Sequence, residues 1–171
     1  GPTAAADMNT GIDIGGASGA TANTLTNYGT TGTFSAYANV SGTVYGILMR
    51  NSVGYNISYN SITSAAAGNT AGTMRGIYNV SASATPTGTF TNTINNNTIA
   101  LTYGVATGTM QGITVEATNA TTTSTQNINN NNFTTLTAAI ASSVTITAIS
   151  SVAPHLTVNI NNNTLTSITT N

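Results

Sequence analysis

Cysteine is absent, so neither disulfides nor thiolate metal sites can hold this chain together. Charge is almost absent too. Two Lys or Arg and three Asp or Glu make up 3% of the 171 residues and leave a formal net charge of −1, where an ordinary domain is about 25% charged. With Arg50 and Arg75 as the whole cationic inventory, no basic patch can neutralise several phosphates, which excludes nucleic acid as a partner. No apolar run approaches the roughly 20 residues that cross a bilayer, so membrane insertion is not expected. Disorder of the usual kind combines low hydrophobicity with high charge. Here hydrophobic residues supply 39%, and a folded chain is expected.

What is present in excess is Thr, Ser and Asn, 76 of 171 positions. Helical surfaces need Glu, Lys, Arg and Gln, whereas Thr suits strands and Asn and Ser suit turns. An all-β protein follows.

Two phrases recur. One is Ile-x-x-Asn-x-apolar, at Ile57 to Ile62 (ISYNSI), Ile94 to Ile99 (INNNTI), Ile128 to Phe133 (INNNNF) and Ile160 to Leu165 (INNNTL). The other is a Gly-Ile step after a Thr-apolar pair, at Gly46-Ile47, Gly76-Ile77 and Gly112-Ile113, with a degenerate copy at Ala148-Ile149 and an early one at Gly11-Ile12. From each Asn-phrase isoleucine to the next Gly-Ile isoleucine there are 20, 19 and 21 residues; the other half of the repeat varies between 10 and 17. A constant scaffold with insertions on one side is the behaviour of a solenoid. Helical repeats of similar period need helix-forming surfaces, which this composition lacks.

The sequence therefore predicts a parallel β-helix (β-solenoid) of about five turns of roughly 34 residues. It forms one domain over 1–171, with repeats near 7–41, 42–71, 72–107, 108–143 and 144–171, and is read as a fragment of a larger protein. Gly1-Pro2 looks like a cleavage remnant. Turns stacked about 4.8 Å apart place like residues in columns. Asn60, Asn97, Asn131 and Asn163 form an amide ladder. One core column holds Ile57, Ile94, Ile128 and Ile160, and a second Ile62, Ile99, Phe133 and Leu165. A third holds Ile12, Ile47, Ile77, Ile113 and Ile149. Gly46, Gly76 and Gly112 are expected at a corner, where the inward and outward parity of the strand resets.

The phrases Ile-Asn-Asn-Asn-Thr-Ile and Gly-Thr-Met-x-Gly-Ile resemble repetitive β-helix segments of very large secreted proteins in gliding or surface-attached Bacteroidetes-type bacteria. The likeness covers roughly residues 42 to 171. It implies a right-handed coil and a place in adhesin stalks, surface fibres or matrix, outside the cell or on its surface.

Chemistry is scarce. Asp7, Asp13, Glu116, His155, Arg50 and Arg75 are the whole set of ionising groups apart from tyrosines and termini, and they form no acid–base pair or ligand set. No catalytic residue, metal or cofactor is assigned. His155 is read as a loop residue beside Pro154, Arg50 and Arg75 as solvated, and Tyr45 and Tyr78 as the tyrosines most open to a sugar. The expected function is a structural segment that associates with itself or with neighbouring repeats. The alternative is a module binding surface glycans or ice through a Thr/Asn-rich face, where Thr31 to Thr33, Thr87 to Thr89 and Thr121 to Thr123 supply Thr-x-Thr pairs.

Overall fold

A computed structural model describes residues 9–29, 43–65, 72–80, 88–116, 123–139 and 143–170. Asp7, Gly1-Pro2 and the Thr31 to Thr33 pair lie outside these residues, and the other two Thr-x-Thr pairs lie only partly inside.

The chain is an all-β parallel solenoid. A first coil holds β1 (Asn9–Thr10), β2 (Asp13–Gly15) and β3 (Thr24–Tyr28), then β4 (Val44–Arg50) and β5 (Ser52–Val53). The next three coils each carry a full set: β6 (Asn56–Ser58), β7 (Ser61–Ser64) and β8 (Thr73–Val80); β9 (Thr91–Asn95), β10 (Thr98–Tyr103) and β11 (Thr107–Glu116); β12 (Thr125–Asn129), β13 (Asn132–Ala138) and β14 (Ser143–Ser151). A last coil contributes β15 (Thr157–Asn161), β16 (Thr164–Leu165) and β17 (Ile168–Thr170).

Like strands pair in parallel, so three sheets run along the stack: β2-β6-β9-β12-β15, β3-β7-β10-β13-β16, and β4-β8-β11-β14, with β17 also on β13 and β1 on β5. Four coils therefore give a strand to each of the three sheets and a fifth supplies β15 to β17, so the described turns fall slightly short of the five complete ones expected. Layers repeat at 37, 34 and 32 residues along the asparagine positions.

The strands form because inward apolar residues alternate with outward Thr and Asn, the period-2 pattern of a strand. In β9 and β12, Asn92, Ile94, Gln126 and Ile128 are buried, while the residues between them are partly or fully exposed. The core runs through the middle of the coil and contains Ile57, Ile62, Met74, Ile77, Ile94, Ile99, Met110, Ile113, Ile128 and Phe133, all at 1% exposure or less. Each such side chain contributes about 1.5–3 kcal/mol through burial.

One column differs from its sequence reading. Ile12 does not join Ile47, Ile77, Ile113 and Ile149. Thr10 pairs with Val53 and Asp13 with Asn56, so Gly11-Ile12 lies opposite Gly54-Tyr55, and the Asn56 backbone N–H donates to the Ile12 carbonyl at 2.8 Å. The dipeptide matches by name alone. In the first layer Ile14 pairs with Ile57 and Leu25 with Ile62.

Candidate functional site

With few ionising groups, the arrangement most able to act is the stack itself. Asn23 Nδ2 donates to Asn60 Oδ1 at 3.2 Å, Asn60 to Asn97 at 2.9 Å, Asn97 to Asn131 at 2.9 Å and Asn131 to Asn163 at 3.0 Å. Each receiving oxygen from Asn97 onward also accepts the backbone N–H of the preceding ladder residue, at 2.9 to 3.0 Å. The second hydrogen of each amide from Asn60 onward reaches back to an isoleucine-column carbonyl: Ile14, Ile57, Ile94 and Ile128 in turn. In the interior layers Asn97 and Asn131 thus use both amide hydrogens and both oxygen sites while 0% exposed. A buried amide left unpaired costs about 1–3 kcal/mol, so the full set of bonds is what permits burial.

The kink beside the ladder falls one residue earlier. Tyr59, Asn96, Asn130 and Asn162 take positive φ of 59°, 56°, 55° and 54°, a left-handed conformation that Asn tolerates better than other side chains. That single residue resets parity, so Ile94 and Ile99, five apart, both point inward. A second, outer ladder runs the other way: Asn129 N donates to Asn95 Oδ1 and Asn161 N to Asn129 Oδ1, both at 2.9 Å.

The core columns are in register from strand to strand. Ile57, Ile94, Ile128 and Ile160 pair successively, as do Ile62, Ile99, Phe133 and Leu165 and Ile47, Ile77, Ile113 and Ile149.

Gly46, Gly76 and Gly112 lie inside β4, β8 and β11 and not between strands, which corrects the corner expected for them. Parity still resets at these glycines, since Gly76 and Ile77 are both buried, as are Gly112 and Ile113. Their smallness is needed for close approach. A Cβ would sit 2.7 Å from the Gly76 carbonyl oxygen at Gly46, 2.6 Å from that of Gly112 at Gly76, and 2.5 Å from that of Ala148 at Gly112, where it also meets the Phe133 ring. Ala148 is tolerated in the fourth strand because β14 is the edge of its sheet.

Three arrangements escaped the sequence reading. Tyr55 is buried with its hydroxyl donating to Gln126 Oε1 at 3.0 Å, and Asn92 Oδ1 accepts the Gly54 N–H at 2.8 Å, so one inward column is polar. Desolvation holds the Tyr55 phenol well above its ordinary pKa.

On the outer face of the third sheet the Tyr45 and Tyr78 rings stack, with centroids 5.4 Å apart, and the Arg75 guanidinium lies 4.1 Å from the Tyr78 centroid. Arg75 Nε donates to Gln111, the Tyr78 hydroxyl donates to Glu116 at 2.6 Å, and Arg75 lies 3.8 Å from Glu116. Burial and the Glu116 carboxylate push the Tyr78 phenol up to about 12. Tyr78 is thus covered by its neighbours, whereas Leu48 beside it is 40% exposed. These side chains come from three coils, and only knowledge of the outward register could have gathered them.

His155, expected as a loop residue beside Pro154, lies outside the strands and shares a 2.7 Å hydrogen bond between its Nδ1 and Ser124 Oγ. Ser124 is fully buried and His155 partly so, and their hydrogen bond ties two coils together. Desolvation lowers the His155 pKa. Among the described residues no three His, Cys, Asp or Glu side chains converge.

The last layer carries the same residue types as the interior but is uncovered. Val158 is 41% exposed, Ile160 46%, Leu165 45% and Ile168 51%. No protein family, curated protein or solved structure was found to match the chain.

Proposed function

We propose that this chain is a structural segment of an extracellular surface fibre, stalk or adhesin, a stiff coil that supplies length and stacks with neighbouring repeats of its kind. One observation carries the reading. The asparagine ladder and the core columns repeat from layer to layer and join each layer to the ones before and after it, so an added layer lengthens the coil without altering the pattern of the rest.

The resemblance of the Asn and Gly-Ile phrases to secreted bacterial β-helix repeats supports an extracellular setting, as do the missing cysteines and the Thr/Asn-rich surface. The reading is non-catalytic: Asp13, Glu116 and His155 stand in different coils, and no two of them form a pair. Neither a cofactor nor a metal has a role in it. The experiment is to place one, two and three copies in tandem between two globular domains and measure the interdomain distance by small-angle scattering. A rigid coil gives a fixed increment per copy. A distance that grows as the square root of copy number, as for a flexible linker, overturns the reading.

A second reading, glycan binding on an outer face, is favoured by exposed Leu48 beside the stacked Tyr45 and Tyr78. Retention on a glycan array that is lost in Tyr45→Ala would promote it.

A further inference from the structure

We propose that the C-terminal end of the coil docks onto the N-terminal end of a second copy of this chain, head to tail, so that the asparagine ladder and two core columns continue across the join. The proposal rests on the structural-segment reading above and names the partner that stacks.

The ladder has a direction, and this sets what each end can accept. Every rung gives an amide hydrogen and, from Asn60 onward, a backbone N–H to the Oδ1 of the next Asn toward the C-terminus. At Asn163 the series stops. Its Oδ1 is filled by Asn131 and one amide hydrogen goes to the Ile128 carbonyl, while the other hydrogen and the backbone N–H have no acceptor among the described residues. At the opposite end exposed Asn23 donates to Asn60, and its own Oδ1 accepts from no donor among the described residues. One end therefore lacks an amide oxygen, and the other presents one. A second copy laid in register would seat Asn23 over Asn163, and its remaining amide hydrogen would face the Ile160 carbonyl, as Asn60 faces that of Ile14.

The apolar surfaces match in the same register. Ile14 heads the column that ends at Ile160, and Leu25 heads the column that ends at Leu165. Ile160 and Leu165 are nearly half exposed, an uncovered apolar edge that one further layer would bury. With a net charge of −1, repulsion between copies is small. Like ends cannot pair this way, because two C-terminal ends would set donor against donor. The contact is heterologous and does not close on itself, so it builds open rods.

Blocking one end at a time tests the join. Ile160→Glu places a charge on the C-terminal end and Ile14→Glu on the N-terminal end, and circular dichroism checks that each variant keeps its β content. Sedimentation of the parent chain should show mass rising with concentration. Each variant alone should run as a monomer where the parent forms rods, and an equimolar mixture should give dimers and nothing longer, because one free end of each kind remains. Leu165→Glu and Leu25→Glu serve as a second pair should either first variant lose its fold.

An Ile14→Glu chain that still dimerises shows like-end pairing and overturns the proposal. So does a parent chain that is monomeric at all concentrations, which would assign the C-terminal end to some other occupant. That last outcome, with a fixed increment per tandem copy, leaves the structural reading standing; a flexible tandem would remove that reading instead.

Discussion

The phrase INNNTI at 94–99 and the phrase INNNTL at 160–165 differ by one conservative residue, yet they live in different surroundings. Ile94, Asn97 and Ile99 are 0% exposed; Ile160 and Leu165 are 46% and 45% exposed. Backbone direction, the left-handed residue and the inward columns are shared, as φ of 56° at Asn96 and 54° at Asn162 shows. What differs is the number of neighbours: the first phrase is roofed on both sides and the second on one. Local sequence sets the shape of a layer, and adjoining layers set how much that shape is worth. Stability in such a coil is then a sum of layer terms and interfaces between layers.

Substitutions in the two settings should separate accordingly. The largest effect is expected in the core. Phe133→Ala, in a roofed layer, should destabilise by about 3–5 kcal/mol, while Ile160→Ala in the open layer should cost about 1–2 kcal/mol, because part of its surface is already in water. Urea midpoints measure both, and equal losses would break the comparison.

The ladder comes next. Asn97→Ala strands the Asn60 amide, the Asn60 N–H and the Ile57 carbonyl, and should cost about 3 kcal/mol; Asn163→Ala leaves its orphaned groups near solvent and should cost about 1 kcal/mol. Smaller again is the glycine row. Gly112→Ala drives a methyl against the Ala148 carbonyl and Phe133 and should cost about 1–3 kcal/mol, whereas Ala148→Gly at the edge strand should change stability by less than about 1 kcal/mol.

The smallest effect is a pH dependence at the end of the stack. Burial lowers the His155 pKa below its ordinary 6.5, so the unfolded chain binds the proton more readily. The His155 contribution is therefore complete above about pH 6.5 and is lost as the pH falls from there through the depressed value. His155→Gln should flatten this acid-side decline in the melting temperature between about pH 7 and 5; an unchanged slope would assign the decline to other groups.

Much of this was legible because a coil projects a one-dimensional code. Spacings near 34 residues, and an Asn held three places after each Ile, are enough to place the ladder and its columns. The first coil was not legible. Its ladder residue is Asn23, but Gly15 to Ala22 separate it from Ile14, and they include a short 3-10 turn at Gly19–Thr21, which hides the phrase. Ile12 was misplaced for the complementary reason, since a Gly-Ile dipeptide can recur without its strand context.

The corner role given to Gly46, Gly76 and Gly112 reflects the same limit. Parity in a sequence shows that a reset occurs, not whether the strand runs on past it; here β4, β8 and β11 do, although their paired residues skip the glycine. Tyr45, Arg75, Tyr78, Gln111 and Glu116 were scattered because outward positions carry no periodic hydrophobic signal.

That like residues of successive coils lie directly over one another is tested most directly with paired cysteines, since the chain has no thiol of its own. Thr91 and Thr125 are strand partners in adjacent layers, and Thr125 partners Thr157 one layer further on. Mild oxidation of Thr91→Cys/Thr125→Cys should close a disulfide, because adjacent strands lie within the 4.4–6.8 Å that a disulfide spans. Thr91→Cys/Thr157→Cys, two layers or roughly 9.6 Å apart, should remain reduced. Closure of the second pair, or failure of the first in a chain that keeps its β content, would contradict the stacked coil.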